Sequence, residues 1–140
     1  LALVAWAPRA GAQSYAKAEI VIHGHAIVAD VAESPGQQER GLGGRARLGA
    51  DEGMLFVYAD SGDRVFWMRD MLIPLDIIWL LNHRVVHIEP SVPPPRPGTA
   101  LRELATYRAG QPANFVLELA AGRSRELGLK AGDRVEFRFR

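Results

Sequence analysis

Phe66-Trp67-Met68-Arg69-Asp70-Met71-Leu72-Ile73-Pro74-Leu75-Asp76-Ile77-Ile78-Trp79-Leu80-Leu81 is the densest apolar run of the chain, and it admits only Arg69, Asp70 and Asp76 as charges. A run of this kind belongs in a core. Pro74 forbids a single helix, because proline has no N–H and its ring clashes with the preceding turn; it equally disfavours the middle of a central strand. The stretch therefore reads as two strands meeting at Ile73-Pro74, one over residues 64–69 and one over residues 75–81. Each is close to the usual strand length of about five to six residues.

Upstream, Met54-Leu55-Phe56-Val57-Tyr58 is a continuous apolar run framed by the turn chemistry of residues 48–53 and of Asp60-Ser61-Gly62-Asp63, which marks a central strand. Three core strands then follow one another with short connections. Further back, Ala18 to Ile22 and Ala26 to Ala32 are β-rich runs separated by His23-Gly24-His25, the spacing of a tight hairpin. Ser34-Pro35-Gly36-Gln37 combines an N-cap serine, proline at the first helical position and glutamine at the third, so a helix starts there. Gly41, Gly43 and Gly44 keep it short.

Downstream, Asn82-His83-Arg84 turns the chain into a half-buried strand over residues 85–89. Pro93, Pro94, Pro95 and Pro97 cannot donate to a ladder, so residues 92–112 read as a surface loop with at most a helical turn near residues 100–104. Phe115-Val116-Leu117-Glu118-Leu119 resumes strand character. Residues 123–127 form a short helix stopped by Gly128, and Val135, Phe137 and Phe139 share one face of a last strand. The expected fold is mainly β, of α+β type: a small β-barrel or rolled sheet of about eight short strands with two short helices.

With 140 residues, 48% of them hydrophobic and 24% charged, the chain can bury a core without cross-links, and it contains no cysteine from which to build any. Seventeen Lys and Arg against sixteen Asp and Glu give a formal charge of +1, which supplies no field for nucleic acid. Leu1-Ala2-Leu3-Val4-Ala5-Trp6-Ala7, followed by the small-x-small pattern Ala10-Gly11-Ala12, reads as the end of a secretory signal. On this reading residues 1–12 are a signal remnant and residues 13–140 a single exported domain, periplasmic or secreted, with no membrane span in the mature part.

In this order the motifs resemble the domain-of-unknown-function 192 family of bacteria and archaea. The resemblance runs from about residue 26 to residue 139 and rests on Arg40-Gly41-Leu42 with Arg45 and Leu48, Gly53-Met54-Leu55-Phe56-Val57, Phe66-Trp67-Met68-Arg69, Ile73-Pro74-Leu75-Asp76-Ile77, and Val116-Leu117-Glu118-Leu119 with Gly122. Gly43 stands where the family commonly carries methionine, and the cysteines that many members have near the proline-rich loop are absent. The resemblance implies a small exported or anchored β-rich domain and no particular activity.

No nucleophile, oxyanion hole or cofactor fingerprint occurs, so no catalytic residue and no cofactor is assigned. Arg69 and Asp76 flank the Ile73-Pro74 corner and admit two readings: a bidentate ion pair able to grip a polar group, or an Asp76 carboxylate that accepts turn amides. Arg45 and Glu52 lie near glycine-rich turns at what reads as the same end of the sheet. Met54, Phe56, Trp67 and Met68, with Met71, supply the rigid walls and adaptable filling of a soft apolar pocket, or else simply core. The candidate ligand-binding set is Arg45, Met54, Phe56, Trp67, Met68, Arg69 and Asp76. Within a strand Val65, Trp67 and Arg69 share a face, which makes Trp67 a wall and leaves Trp79 for the core.

His23, His25, His83 and His87 match no closed zinc spacing, so no metal site is assigned. The leading reading is a module that binds an unidentified small molecule or peptide. The alternatives are a hydrolase-type enzyme working with carboxylates such as Asp70 and Asp76 near the corner, and a purely structural or protein-interaction domain.

Overall fold

The computed structural model describes residues 14–140, so the signal reading of residues 1–12 lies outside the described residues. The elements in order are β1 (Ala16–Ile22), β2 (His25–Ala32), α1 (Pro35–Arg40), β3 (Glu52–Gly62), β4 (Phe66–Trp67), β5 (Leu75–Leu81), β6 (Arg84–Val92), β7 (Thr106–Tyr107), β8 (Ala113–Ala120), α2 (Arg123–Glu126) and β9 (Glu136–Phe139), with a 3-10 turn at Leu101–Glu103. Seven strands form one sheet in the order β6-β5-β8-β3-β2-β1-β9, and β4 pairs with β7 in a separate ribbon.

Local chemistry accounts for the ends of these elements. His23 and Gly24 both take positive φ, 48° and 80°, so the β1–β2 hairpin turns on two residues whose twist matches its strands. In α1 the Ser34 hydroxyl accepts from the Gln37 amide while the Gln37 side chain accepts from the Ser34 amide, closing the expected capping box. Among the main-sheet pairs only β2–β3 is parallel. A parallel pair needs a long crossover, and the segment carrying α1 is that crossover.

The sheet is rolled, not closed into a barrel. Its two edges approach where Arg84 bridges Arg134 and where the Val85 and Val135 amides donate to the Asp133 and His83 carbonyls. The inside of the roll is filled by Ile20, Ile27, Leu55, Ile78, Leu80, Leu117, Leu119 and Val135. Its central strands are buried on the other face as well, where Met54, Phe56, Ile77, Trp79 and Val116 pack under Phe66, Met68, Met71 and Leu42. That double burial explains why the middle of β3 and of β5 reads as unbroken apolar sequence.

The corner departs from the expectation in three ways. The strand expected over residues 64–69 shrinks to β4, because Met68 and Met71 are both drawn into the core across a turn at Arg69 and Asp70, with the Met71 amide donating to the Met68 carbonyl. The three successive strands are not neighbours, since β5 pairs with β6 and β8 and β4 leaves the sheet altogether. β3 also runs through the expected turn at residues 60–62, by an irregularity that re-pairs Gly62 with Ala113.

Gly53 lies between β2 and β8, opposite Ala29 and Leu119. A Cβ there would sit 2.7 Å from the Glu118 carbonyl oxygen and 3.0 Å from the Leu119 side chain. Gly53→Ala is therefore expected to cost about 1–3 kcal/mol through overpacking, read as a shifted urea midpoint with unchanged slope; an unshifted midpoint would mean that the sheet yields there.

Candidate functional site

On the second face of the sheet, beneath α1 and β4, lies an open cavity of about 250 Å³. Phe56, Phe66 and Met71 form its apolar wall, and Tyr58, Val65 and Trp67 continue it. Gln38, Glu39, Arg40 and Arg69 stand around it, and Glu118 lines its depth. Val65, Trp67 and Arg69 share the cavity with Phe66 and Met71, so strand alternation is not what gathers them.

Each wall has a cause. Gln38 Nε2 donates to the carbonyls of Ala32 and Val57, at 3.3 and 2.9 Å, which pins α1 to the end of β2 and the middle of β3. Phe56 meets Phe66 edge to face, with centroids 4.8 Å apart at 83°, and Phe66 in turn meets Trp79 at 6.0 Å. Trp79 is fully buried, and its Nε1 donates to the Arg64 carbonyl at 2.8 Å. Arg64 holds Asp60 by an ion pair of 2.8 Å and lays its guanidinium 4.0 Å above the Tyr58 ring. Burial pushes the Tyr58 phenol up to about 12; nearby Arg64 opposes that rise and Glu118 adds to it.

Trp67 is 38% exposed, and Arg69 stands 5.6 Å over its ring. Arg69 is otherwise held only loosely, 3.9 Å from Glu39 and 3.6 Å from Asp70.

Glu118 is the residue the sequence reading missed. It sits in mid-β8, opposite Met54 of β3 and Ile77 of β5, on a side that alternation assigns to the core. It is 4% exposed, and its Oε2 has no hydrogen-bond partner. Burial drives its carboxyl up to about 8, with Arg45 pulling weakly the other way. The signal was present as a lone charge inside Val116-Leu117-Glu118-Leu119. A strand buried on both faces has no wet side on which to place such a group.

The predicted site residues separate. Phe56, Trp67 and Arg69 line the cavity, while Met54 is buried core beside Glu118 in register. Met68 faces a different depression, formed with Pro93, Pro94 and Pro95 of the long loop. Arg45 turns to Asp30, at 2.7 Å, and its guanidinium lies 5.7 Å over Tyr15. Burial would raise the Asp30 carboxyl, but Lys17 and Arg45, both bonded to it, hold it below the ordinary value. Glu52 lies against Gly49 and is not part of the cavity lining.

Asp76 makes no pair with Arg69. Its Oδ1 accepts from the amides of Ser91 and Gly122, at 2.8 and 3.0 Å, and its Oδ2 from the Ser124 amide and hydroxyl, at 2.8 and 2.6 Å. The reason is a bulge between Leu75 and Ile77 that sets Asp76 against Pro90 and Ser91 and aims it at the start of α2, a helix with no side-chain cap of its own. Of the two readings of the corner, the acceptor of turn amides is the one that forms. An acid–base pair of Asp70 with Asp76 is not assembled, since Asp76 is sealed and Asp70 is exposed.

The histidines are dispersed: His23 lies 2.9 Å from the Leu127 carbonyl, His25 2.6 Å from Asp51, His83 3.0 Å from the Val135 carbonyl and His87 3.1 Å from Glu89. Among the described residues no group of three or more His, Asp or Glu is arranged to hold a metal ion.

Comparison with known proteins agrees with this architecture. The family model DUF192, described as an uncharacterized ACR, matches residues 18–137. A solved structure of a putative transcription regulator from Sinorhizobium meliloti 1021 is similar with a TM-score of 0.79 and 29% identity, covering 91% of this chain and 98% of that one. A protein of unknown function from Novosphingobium aromaticivorans DSM 12444 is similar with a TM-score of 0.74 and 31% identity, covering 93% of this chain and 89% of that one. No curated protein matches.

Proposed function

The chain belongs to the DUF192 family, and from that premise we propose that this domain is a small-molecule binding module whose site is the cavity between α1, β4 and β8. One observation carries the proposal: Glu118 Oε2 is buried at the cavity without a partner. A buried polar atom left unsatisfied costs about 1–3 kcal/mol, and a ligand donor would recover it. The volume, about 250 Å³, lies just below the range of about 300–1,000 Å³ typical of drug-sized ligands, which favours a compact molecule.

The same reading extends to the address: the apolar start and the Ala10-Gly11-Ala12 pattern favour work outside the cytoplasm. A role as a transcription regulator, the name carried by the Sinorhizobium protein, draws no support from a formal charge of +1 if it requires contact with nucleic acid.

The test is a thermal-shift screen followed by substitution of the tryptophans. A ligand of the native state must raise the melting temperature, and Trp67→Phe should weaken it by about 1 kcal/mol or more without unfolding the domain. Trp79→Phe should lower stability instead, through lost packing and the lost bond to Arg64. If Trp67→Phe leaves affinity untouched for every hit, the cavity is not where they bind.

A further inference from the structure

A carboxyl buried without a partner selects the chemistry of whatever reaches it. We infer, building on the binding reading above, that the occupant of this cavity presents a primary ammonium group to the Glu118 carboxyl and lays a short apolar stem along Phe56, Phe66 and Trp67.

Two features point to a cation. Glu118 Oε2 has no hydrogen-bond partner, and an ammonium brings three donors together with the charge that offsets a buried carboxylate. Rings attract cations at their faces, and two rings of this cavity already do so, with Arg64 over Tyr58 and Arg69 over Trp67.

Groups from the surrounding elements act on Glu118. Arg45, from the α1–β3 connection, favours its ionisation but is itself bound to Asp30. Tyr58 of β3 stays protonated, with Arg64 above it, and Glu39, Arg40 and Arg69 stand around the cavity from α1 and from the segment after β4.

The binding step balances simply. Glu118, neutral below about 8, releases its proton to solvent, and the resulting carboxylate pairs with the incoming ammonium. One proton is released for each ligand bound. Affinity must therefore rise about tenfold per pH unit up to about 8 and then level off until the amine itself deprotonates. A ligand that only accepts a hydrogen bond from neutral Glu118 would show the opposite trend, losing affinity above that pH.

The experiment titrates the whole chain with n-butylamine and phenethylamine, and with 1-butanol and 2-phenylethanol as neutral matches, to tens of millimolar. The Trp67 indole N–H resonance reports occupancy, and calorimetry in two buffers of different ionisation enthalpy reports proton release. The expected result is an amine affinity that rises with pH, with proton release that Glu118→Gln abolishes while the Trp79 resonance shows the variant folded. Alcohols that bind as well as the amines, or an amine affinity flat in pH, overturn the ammonium assignment and leave the binding module standing. If no probe moves Trp67 at any pH while the Trp79 resonance confirms a folded protein, both the assignment and the site fall.

Discussion

Asp76→Ala is expected to remove about 3–5 kcal/mol of folding stability, the cost of breaking a buried charged network from one side. A typical domain has only about 5–15 kcal/mol in all. The carboxylate has no solvent exposure, and it satisfies the amides of Ser91, Gly122 and Ser124 as well as the Ser124 hydroxyl. Alanine leaves those donors without a partner where water has little access. It also unties the β5–β6 bulge and the start of α2 together.

Asp76→Asn keeps one acceptor oxygen but turns an NH2 group toward donors, so its cost should be intermediate. Urea unfolding of the two variants measures both. A loss under about 1 kcal/mol for Asp76→Ala would mean that water or a backbone shift replaces the carboxylate. Adding Arg69→Met should change nothing further, with the two effects additive within about 0.5 kcal/mol, since Arg69 bonds none of these groups.

Glu118 should give the second large effect, with an unusual dependence on pH. Its folded-state carboxyl is raised from 4.5 to about 8. Between those values the unfolded chain has released the proton that the native state keeps, so stability falls as pH rises, by about 1.4 kcal/mol per unit. The contribution is fully present below 4.5 and has gone above about 8, an overall loss on the order of 5 kcal/mol.

Glu118→Gln has the shape of the protonated acid and cannot ionise. It should match the parent in stability near pH 4.5 and exceed it by several kcal/mol near pH 8.5. Taking the difference between the two proteins cancels the exposed carboxylates. Asp51, Asp60 and Glu136, lowered by their basic partners, act in the other direction, stabilising above their unfolded values and losing that stability as pH falls. A difference curve flat between pH 5 and pH 8 would show that Glu118 is ionised and compensated throughout.

Much of the fold is legible in short windows. Ser34, Pro35 and Gln37 announce α1, His23-Gly24 announces the first hairpin, and the second half of the organising stretch is β5 over the expected Leu75–Leu81. These signals work because caps and turns depend on bonds among residues a few positions apart. The place of Trp79 in the core was also readable.

The site was less legible. Sequence proximity suggested that Arg69 and Asp76 meet across Pro74. The turn at Arg69-Asp70 and the bulge at Asp76 send the two side chains to different parts of the molecule. Met68 and Arg45 likewise leave for the proline-rich loop and for Asp30. Glu118 was quoted within a motif but passed over as a strand residue, because a charge in a strand ordinarily points to water.

By itself, then, the sequence determined the class of fold, most strand positions, the ends of α1 and the family. Only the tertiary structure decided which strands are neighbours: β5 beside β8, β2 parallel to β3, and β4 lifted away to β7. The physical reason is that strand pairing joins segments far apart in the chain, and any apolar run satisfies a neighbour's backbone equally well, so order is chosen by how both faces of the sheet are covered. That choice is what buries Glu118 in the middle of β8 and leaves its Oε2 without a partner.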